Sequence, residues 1–234
     1  MPDDYEPNPA TKRYDAFLFD MDGTLLNSIA LVERIWRSWA LLRGVDPDDL
    51  LMTIHGVRAI DAIRALNLPN VDPAQDSEML LEEEMSTTEG IVAISGVLSF
   101  LSSLPPDRWA IVTSAPRKLA LLRLKAVGIP LPKVLVTAED VVSGKPDPEG
   151  YRIGAARLGF NPSHCLVFED APAGILAGER AGCDVAIITA THAADVLTEH
   201  LSFLDYNDLK AVSTAEGMIL TATYKSKARV SPMK

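Results

Sequence analysis

The sequence predicts an α/β fold in which a parallel, Rossmann-like sheet forms the core and an α-helical cap domain is inserted beside its first strand. Three observations predict it. From Gly96 onward short apolar runs alternate with helical patterns, which implies βαβ units and a parallel sheet. Earlier, the four apolar residues from Ala16 to Phe19 contain no turn former, the pattern of a strand buried on both faces. Between about Ser28 and Ser95 helical periodicity recurs without a strand, so this segment reads as the cap. The expected division is a flexible tail over 1–13, a core from 14–27 and 96–212, a cap over 28–95 and a C-terminal extension over 213–234.

Residues 1–13 are polar, acidic and proline-bearing, so a mobile tail without a signal peptide is expected before Tyr14. Ser28 stands where it can cap a helix running to about Arg43; Val32, Ile35, Trp36 and Trp39 recur there at helical spacing, and Gly44 provides the stop. Asp46 and Pro47 open a second helix. A third follows Gly56, with Ile60, Ile63 and Leu66 on one face. The run 72–90 holds seven acidic side chains and no basic one, and reads as the solvated face of a helix. In the second half, helices are expected over 97–103, 117–127, 151–158 and 173–181, and strands over 109–112, 133–136, 165–168 and 185–188. Residues 218–224 could add an edge strand, with the rest of 213–234 frayed.

An apolar share of 47% and a charged share of 23% match an ordinary globular protein. A net charge of −10 argues against nucleic acid or an anionic membrane as partner. It also means that an anionic ligand must be attracted by local cations. No apolar run reaches the ~18 residues of a membrane helix. Cys165 and Cys183, the two cysteines, are expected to be packed thiols in a reducing cytoplasm.

The chemistry is concentrated after the first strand, where Asp20 and Asp22 are followed by Gly23 and Thr24. In open α/β sheets ligands bind at the carboxyl ends of strands. Two carboxylates so close need a cation between them or a shared proton. Phosphoryl transfer meets that requirement: one carboxylate attacks phosphorus, and Mg²⁺ screens the charge between nucleophile and phosphate. A calcium loop does not fit, because the twelfth position from Asp20 is Leu31 where a bidentate Glu is needed. Later strand ends carry the complement. Thr113 and Ser114 offer hydroxyls and amides, and Pro116 begins a helix whose N-terminus faces the same edge. Lys145 sits in a turn between Gly144 and Pro146, and Glu169 and Asp170 close a further strand.

The segment DMDGTLL at 20–26 resembles the first motif of the haloacid dehalogenase (HAD) superfamily, and the three later strand ends are similar to its second, third and fourth motifs. The resemblance implies that Asp20 is the nucleophile. Asp22 would be the general acid and base, its backbone carbonyl also holding Mg²⁺. Thr113 would bind phosphate with the Ser114 N–H beside it, Lys145 would neutralise nucleophile and phosphate, and Asp170 would bind Mg²⁺ with Glu169 next to it. Over about 14–190, including HGVRAIDAI at 55–63, GKPDPEGY at 144–151 and VFEDAPAGI at 167–175, the chain looks most like phosphatases of glycerol phosphate, deoxyglucose 6-phosphate and related phosphosugars. His55 and Arg58 thereby become candidates for substrate contact. The implied protein is a cytoplasmic, Mg²⁺-dependent phosphoric monoester hydrolase, a monomer or weak homodimer acting on a small phosphate ester.

The alternative is a mutase of the β-phosphoglucomutase type; the position aligned with the mutase cap arginine is Ala59, with Arg58 next door. Schiff-base phosphonatases need a cap lysine, and 29–95 has none. Signalling receivers share the Asp, Thr and Lys but lack a helical insert. His164, His192 and His200 have no motif around them and are expected to be surface or satisfied structural groups.

Overall fold

A computed structural model describes residues 12–193 and 198–222. β1 (Arg13–Tyr14) leads into β2 (Ala16–Phe19), every residue of which is buried. Side chains alternate across a strand, so Phe17 and Phe19 join one apolar layer while Ala16 and Leu18 join the other. β3 (Leu26–Asn27) comes next, then α1 (Ile29–Arg43), α2 (Pro47–Ile54), α3 (Ala59–Leu66) and α4 (Pro73–Met85). β4 (Val92–Ala93) pairs antiparallel with β3, so the helical excursion leaves and returns through one two-stranded neck. The local reasons are those in the sequence. Asp46 and Asp72 accept amide N–H bonds at the starts of α2 and α4, each followed by a proline at the first helical position. Gly44 ends α1 at φ 69°, a left-handed conformation costly for other residues.

The second half alternates as expected: α5 (Val97–Ser102), β5 (Trp109–Val112), α6 (Arg117–Ala126), β6 (Val134–Val136), α7 (Glu149–Leu158), β7 (Cys165–Glu169), α8 (Pro172–Ala181) and β8 (Asp184–Ile188). β9 (Leu201–Phe203), β10 (Leu209–Thr214) and β11 (Gly217–Ala222) complete the described chain. Six strands form a parallel sheet in the order β6-β5-β2-β7-β8-β9. The chain builds outward from β2 to β5 and β6, then crosses back to β7 on the other side. β2 therefore marks the switch point at which such sheets bind ligands. Beneath its end, Phe19 stacks on Phe168 at 4.7 Å, with Phe17 and Phe100 edge-on to Phe168. Burying each such ring contributes about 1.5–3 kcal/mol, and the cluster holds the strand end rigid.

Several expectations need correction. Ser28 precedes α1 but does not cap it, because its hydroxyl donates to Asp22 Oδ1 at 2.6 Å. The acidic run is not merely a solvated face. Asp72 caps α4, Asp76 is buried against Trp39 and the bidentate fork of Arg43, and Glu84 is buried against Arg123. Residues 1–11 and 223–234 lie outside the described residues. Of the expected tail, Arg13 is in a strand paired with β11, and Lys12 reaches Asp184 at 2.7 Å. Residues 213–222, expected to be an edge strand and frayed chain, instead belong to a separate antiparallel sheet ordered β1-β11-β10. The hairpin pairs Met218 with Tyr14 and buries it completely.

Cys165 and Cys183 are both free and buried, as expected. Burial pushes each thiol up to about 12, where the reactive thiolate is scarce at neutral pH. An aromatic disulfide reagent is expected to titrate neither thiol in the native protein and both after denaturation; fast native reaction of either would contradict this packing. Among the described residues no helix is long and apolar enough to cross a membrane.

Candidate active site

Three strand ends deliver the charged groups to one place. Asp20 follows β2 directly, its N–H donating to the Phe168 carbonyl of neighbouring β7 at 2.9 Å. Lys145, reaching in from the loop after β6, donates from Nζ to Asp20 Oδ1 at 2.5 Å and to Glu169 Oε1 at 2.6 Å. All three are buried. Glu169 also accepts from the Tyr151 hydroxyl at 2.7 Å and from the backbone N–H groups of Asp170 and Ala171 at 2.9 and 3.2 Å. These four donors fix its carboxylate, which in turn anchors Lys145. Gly174 permits this: a Cβ there would lie 1.7 Å from Glu169 Oε1.

Asp170 accepts from Thr24 Oγ1 at 3.0 Å. Gly23, at φ 90°, lets the turn pass so close that a Cβ would sit 2.0 Å from Asp170 Oδ2. Oxygens of Asp20, Glu169 and Asp170 can lie within 4.8 Å of one another. Three carboxylates face one ammonium, and the imbalance shows in the titration of Asp20 and Asp170. Burial pushes Asp20 well up, Lys145 opposes it, and Glu169 and Asp22 add to the rise. Burial, then Glu169 and Asp20, push Asp170 up against Thr24 and Lys145. Lys145 is raised despite its burial, because Asp20 and Glu169 hold its proton. An all-oxygen donor set with excess negative charge is the chemistry a hard divalent cation fits.

A cavity of about 490 Å³ opens in front of Asp20, within the ~300–1,000 Å³ range of small-molecule sites. Its floor includes Asp20, Asp22, Thr113, Ser114 and Asp170, and its opposite wall includes Val32, Trp36, Ile54 and Leu81 from the helical insert.

A family model for haloacid dehalogenase-like hydrolases matches residues 14–182. The chain belongs to that family. It is 44% identical over 182 residues to hexitol phosphatase A of Escherichia coli, covering 76% of this chain and 84% of that protein. It is 33% identical over 202 residues to glycerol-1-phosphate phosphohydrolase 2 of Saccharomyces cerevisiae, covering 82% and 81%. The crystal structure of a hydrolase from Pseudomonas syringae aligns with TM-score 0.70 at 25% identity, covering 78% and 87%.

On this HAD-family scaffold, His55 and Arg58, the expected substrate contacts, both line the cavity. Arg58 donates from Nε to Asp61 at 2.5 Å and from its two terminal nitrogens to the carbonyls of Val141 and Val142 at 3.2 and 3.0 Å. It clasps the loop that leads to Lys145 through three of its five N–H groups. His55 lines the cavity with Nε2 3.3 Å from Glu33 Oε1. Ser114 Oγ donates to the Gly56 carbonyl at 2.7 Å, while Thr113 Oγ1 accepts from the Ala115 N–H at 3.0 Å. The start of α6, expected to face an anion, has the Arg117 N–H donating to Glu139.

Other residues also meet here. Thr24 belongs to the first motif but was given no role. His192 reaches the Asp170 carbonyl at 2.9 Å, a satisfied structural position beside the site. Arg123 had no motif; the sole cue was a basic residue in the apolar stretch of α6, and it proves to be buried against Asp22.

Proposed function

We propose that this chain hydrolyses a small phosphorylated polyol or sugar, with Mg²⁺, through an aspartyl phosphate on Asp20. The observation that supports it most is the buried bridge from Lys145 to Asp20 and Glu169, with Asp170 alongside, assembled from separate strand ends. The cavity's size and its mixed polar and apolar lining suit a polyol phosphate, and the named relatives act on such esters. In this reading the helical insert over 28–95 is a cap over a core, and the protein works in the cytoplasm as a monomer or weak homodimer.

Asp20 and Asp170, with the Asp22 backbone carbonyl, would hold Mg²⁺, which when bound supplies charge neutralisation at the phosphoryl oxygens. Asp20 attacks phosphorus in line. Lys145 keeps the nucleophile ionised and offsets charge on the phosphoryl group, the largest contribution such a site makes. Thr113 and the Ser114 N–H bind its oxygens. Asp22 gives a proton to the leaving oxygen and later takes one from water, a step worth about 10²–10⁴-fold. The cap excludes water until the ester has reacted.

Release of phosphate from hexitol, glycerol and deoxysugar phosphates tests the reading. Mg²⁺-dependent release from at least one is expected, abolished by chelation; no release from any would overturn it. A mutase would hold a second phosphate with cap cations, and three of the five Arg58 N–H groups are already given to Asp61, Val141 and Val142. An isomeric product in place of phosphate would reverse that judgement.

Mg²⁺ should also stabilise the protein. Binding at 100 times Kd contributes about 2.7 kcal/mol, which scanning calorimetry reads as a higher Tm. Asp170→Asn is expected to remove most of that increase, and an undiminished increase would move the metal elsewhere.

A further inference from the structure

Arg123 is an unusual residue for its position. It sits on α6, packed beneath the cavity, with its side chain 3% exposed. One terminal nitrogen donates to Asp22 Oδ1 at 2.9 Å, and the other donates to Glu84 Oε2 at 2.7 Å. Glu84 belongs to the last turn of α4 in the helical insert. A single guanidinium therefore spans the sheet domain's second aspartate and the insert. Its Nε is buried without a partner among the described residues, and the two carboxylates set the place of the group.

Resting on the phosphatase reading above, we infer that Arg123 is a positioning residue that orients the Asp22 carboxylate for proton transfer by bridging it to Glu84. During phosphoryl transfer the bond from Asp20 to phosphorus forms and the ester P–O bond breaks. The electron pair goes to the leaving oxygen, which takes its proton from Asp22. Both fixed donors, Arg123 and the Ser28 hydroxyl, converge on Oδ1 of Asp22. That leaves Oδ2 to carry the transferable proton. Asp22 is thus aimed by two donors that hold one of its oxygens. Because Glu84 rides on α4, the aim depends on that helix being seated against α6, a contact that Lys118 and Glu78 reinforce at 3.0 Å.

Leaving-group dependence tests this. An alkoxide needs a proton to depart, whereas nitrophenolate leaves without one, and kcat/KM reports steps only through formation of the aspartyl phosphate. For Arg123→Lys, which keeps the charge but not the fork, kcat/KM on an alkyl phosphate such as glycerol phosphate is expected to fall ~10-fold or more, and on p-nitrophenyl phosphate by less than ~3-fold. Glu84→Gln should show the same split more weakly. Equal falls on both substrates, or no fall on either, would overturn the inference. If Arg123→Lys fails to fold, Glu84→Gln decides alone by the same criterion. Asp22→Asn separates this from its premise: a larger split upholds Asp22 as the acid, while equal loss on both substrates refutes that parent reading itself.

Discussion

Replacing Asp20 by Asn is expected to abolish turnover while leaving the fold intact. The amide keeps the shape of the carboxylate but cannot attack phosphorus, and no neighbouring group can replace it: Glu169 is saturated by Lys145, Tyr151 and two backbone N–H groups. Loss of an essential nucleophile removes nearly all of the rate that covalent catalysis supplies, at least ~10³-fold in kcat. Stability should move the other way or not at all. Asp20 is a buried carboxylate whose charge is disfavoured by burial and by Glu169, so a neutral isostere removes repulsion while Lys145 keeps Glu169 as partner. Phosphate release and a thermal melt check both halves. Residual activity above a few per cent, or a large fall in Tm, would contradict the assignment.

Lys145→Met is expected to fail in both respects. The methionine matches the stem but leaves Asp20 and Glu169 without their ammonium, and both are almost wholly buried. Breaking a buried pair in this way costs about 3–5 kcal/mol. The loss should depend on pH with a definite sign. Burial already raises Asp20 above its ordinary 3.8 against the opposing charge of Lys145, and without that charge it rises further, so the folded variant binds a proton that the unfolded state does not. Stability then rises as pH falls through the raised folded values toward 3.8. Urea melts of both proteins without Mg²⁺ should show the gap between wild type and variant narrowing on acidification. A gap that stayed constant, or widened, would mean that Lys145 is not the counter-charge of these carboxylates.

How much of this was legible in the chain depends on range. β2 and its two aspartates are local: four apolar residues, then DMDGT, and the residues that follow β5 and close β7 declare themselves in the same way. Lys145 could be found because Gly144 and Pro146 stiffen its turn. What could not be read are the contacts that only tertiary packing creates. Ser28 looked like a helix cap, but Asp22 lies six positions away and claims its hydroxyl. Glu84 looked solvated until α4 met α6, where Arg123 faces it across the boundary between insert and sheet. Arg58 lines the cavity, but its bonds to two carbonyls more than eighty residues downstream could not be read. β1 and β10 are short or exposed strands without strong alternation, and they exist because β11 gives them a partner.

The central claim is that phosphorus passes through Asp20 before it reaches water, and the stereochemistry of hydrolysis tests it most directly. Each in-line displacement inverts phosphorus, so attack by Asp20 followed by attack of water on the aspartyl phosphate restores the original hand. With a phosphate ester made chiral by oxygen isotopes, net retention of configuration is expected. Net inversion would mean that water attacks the ester in a single step, and Asp20 would then have no covalent role.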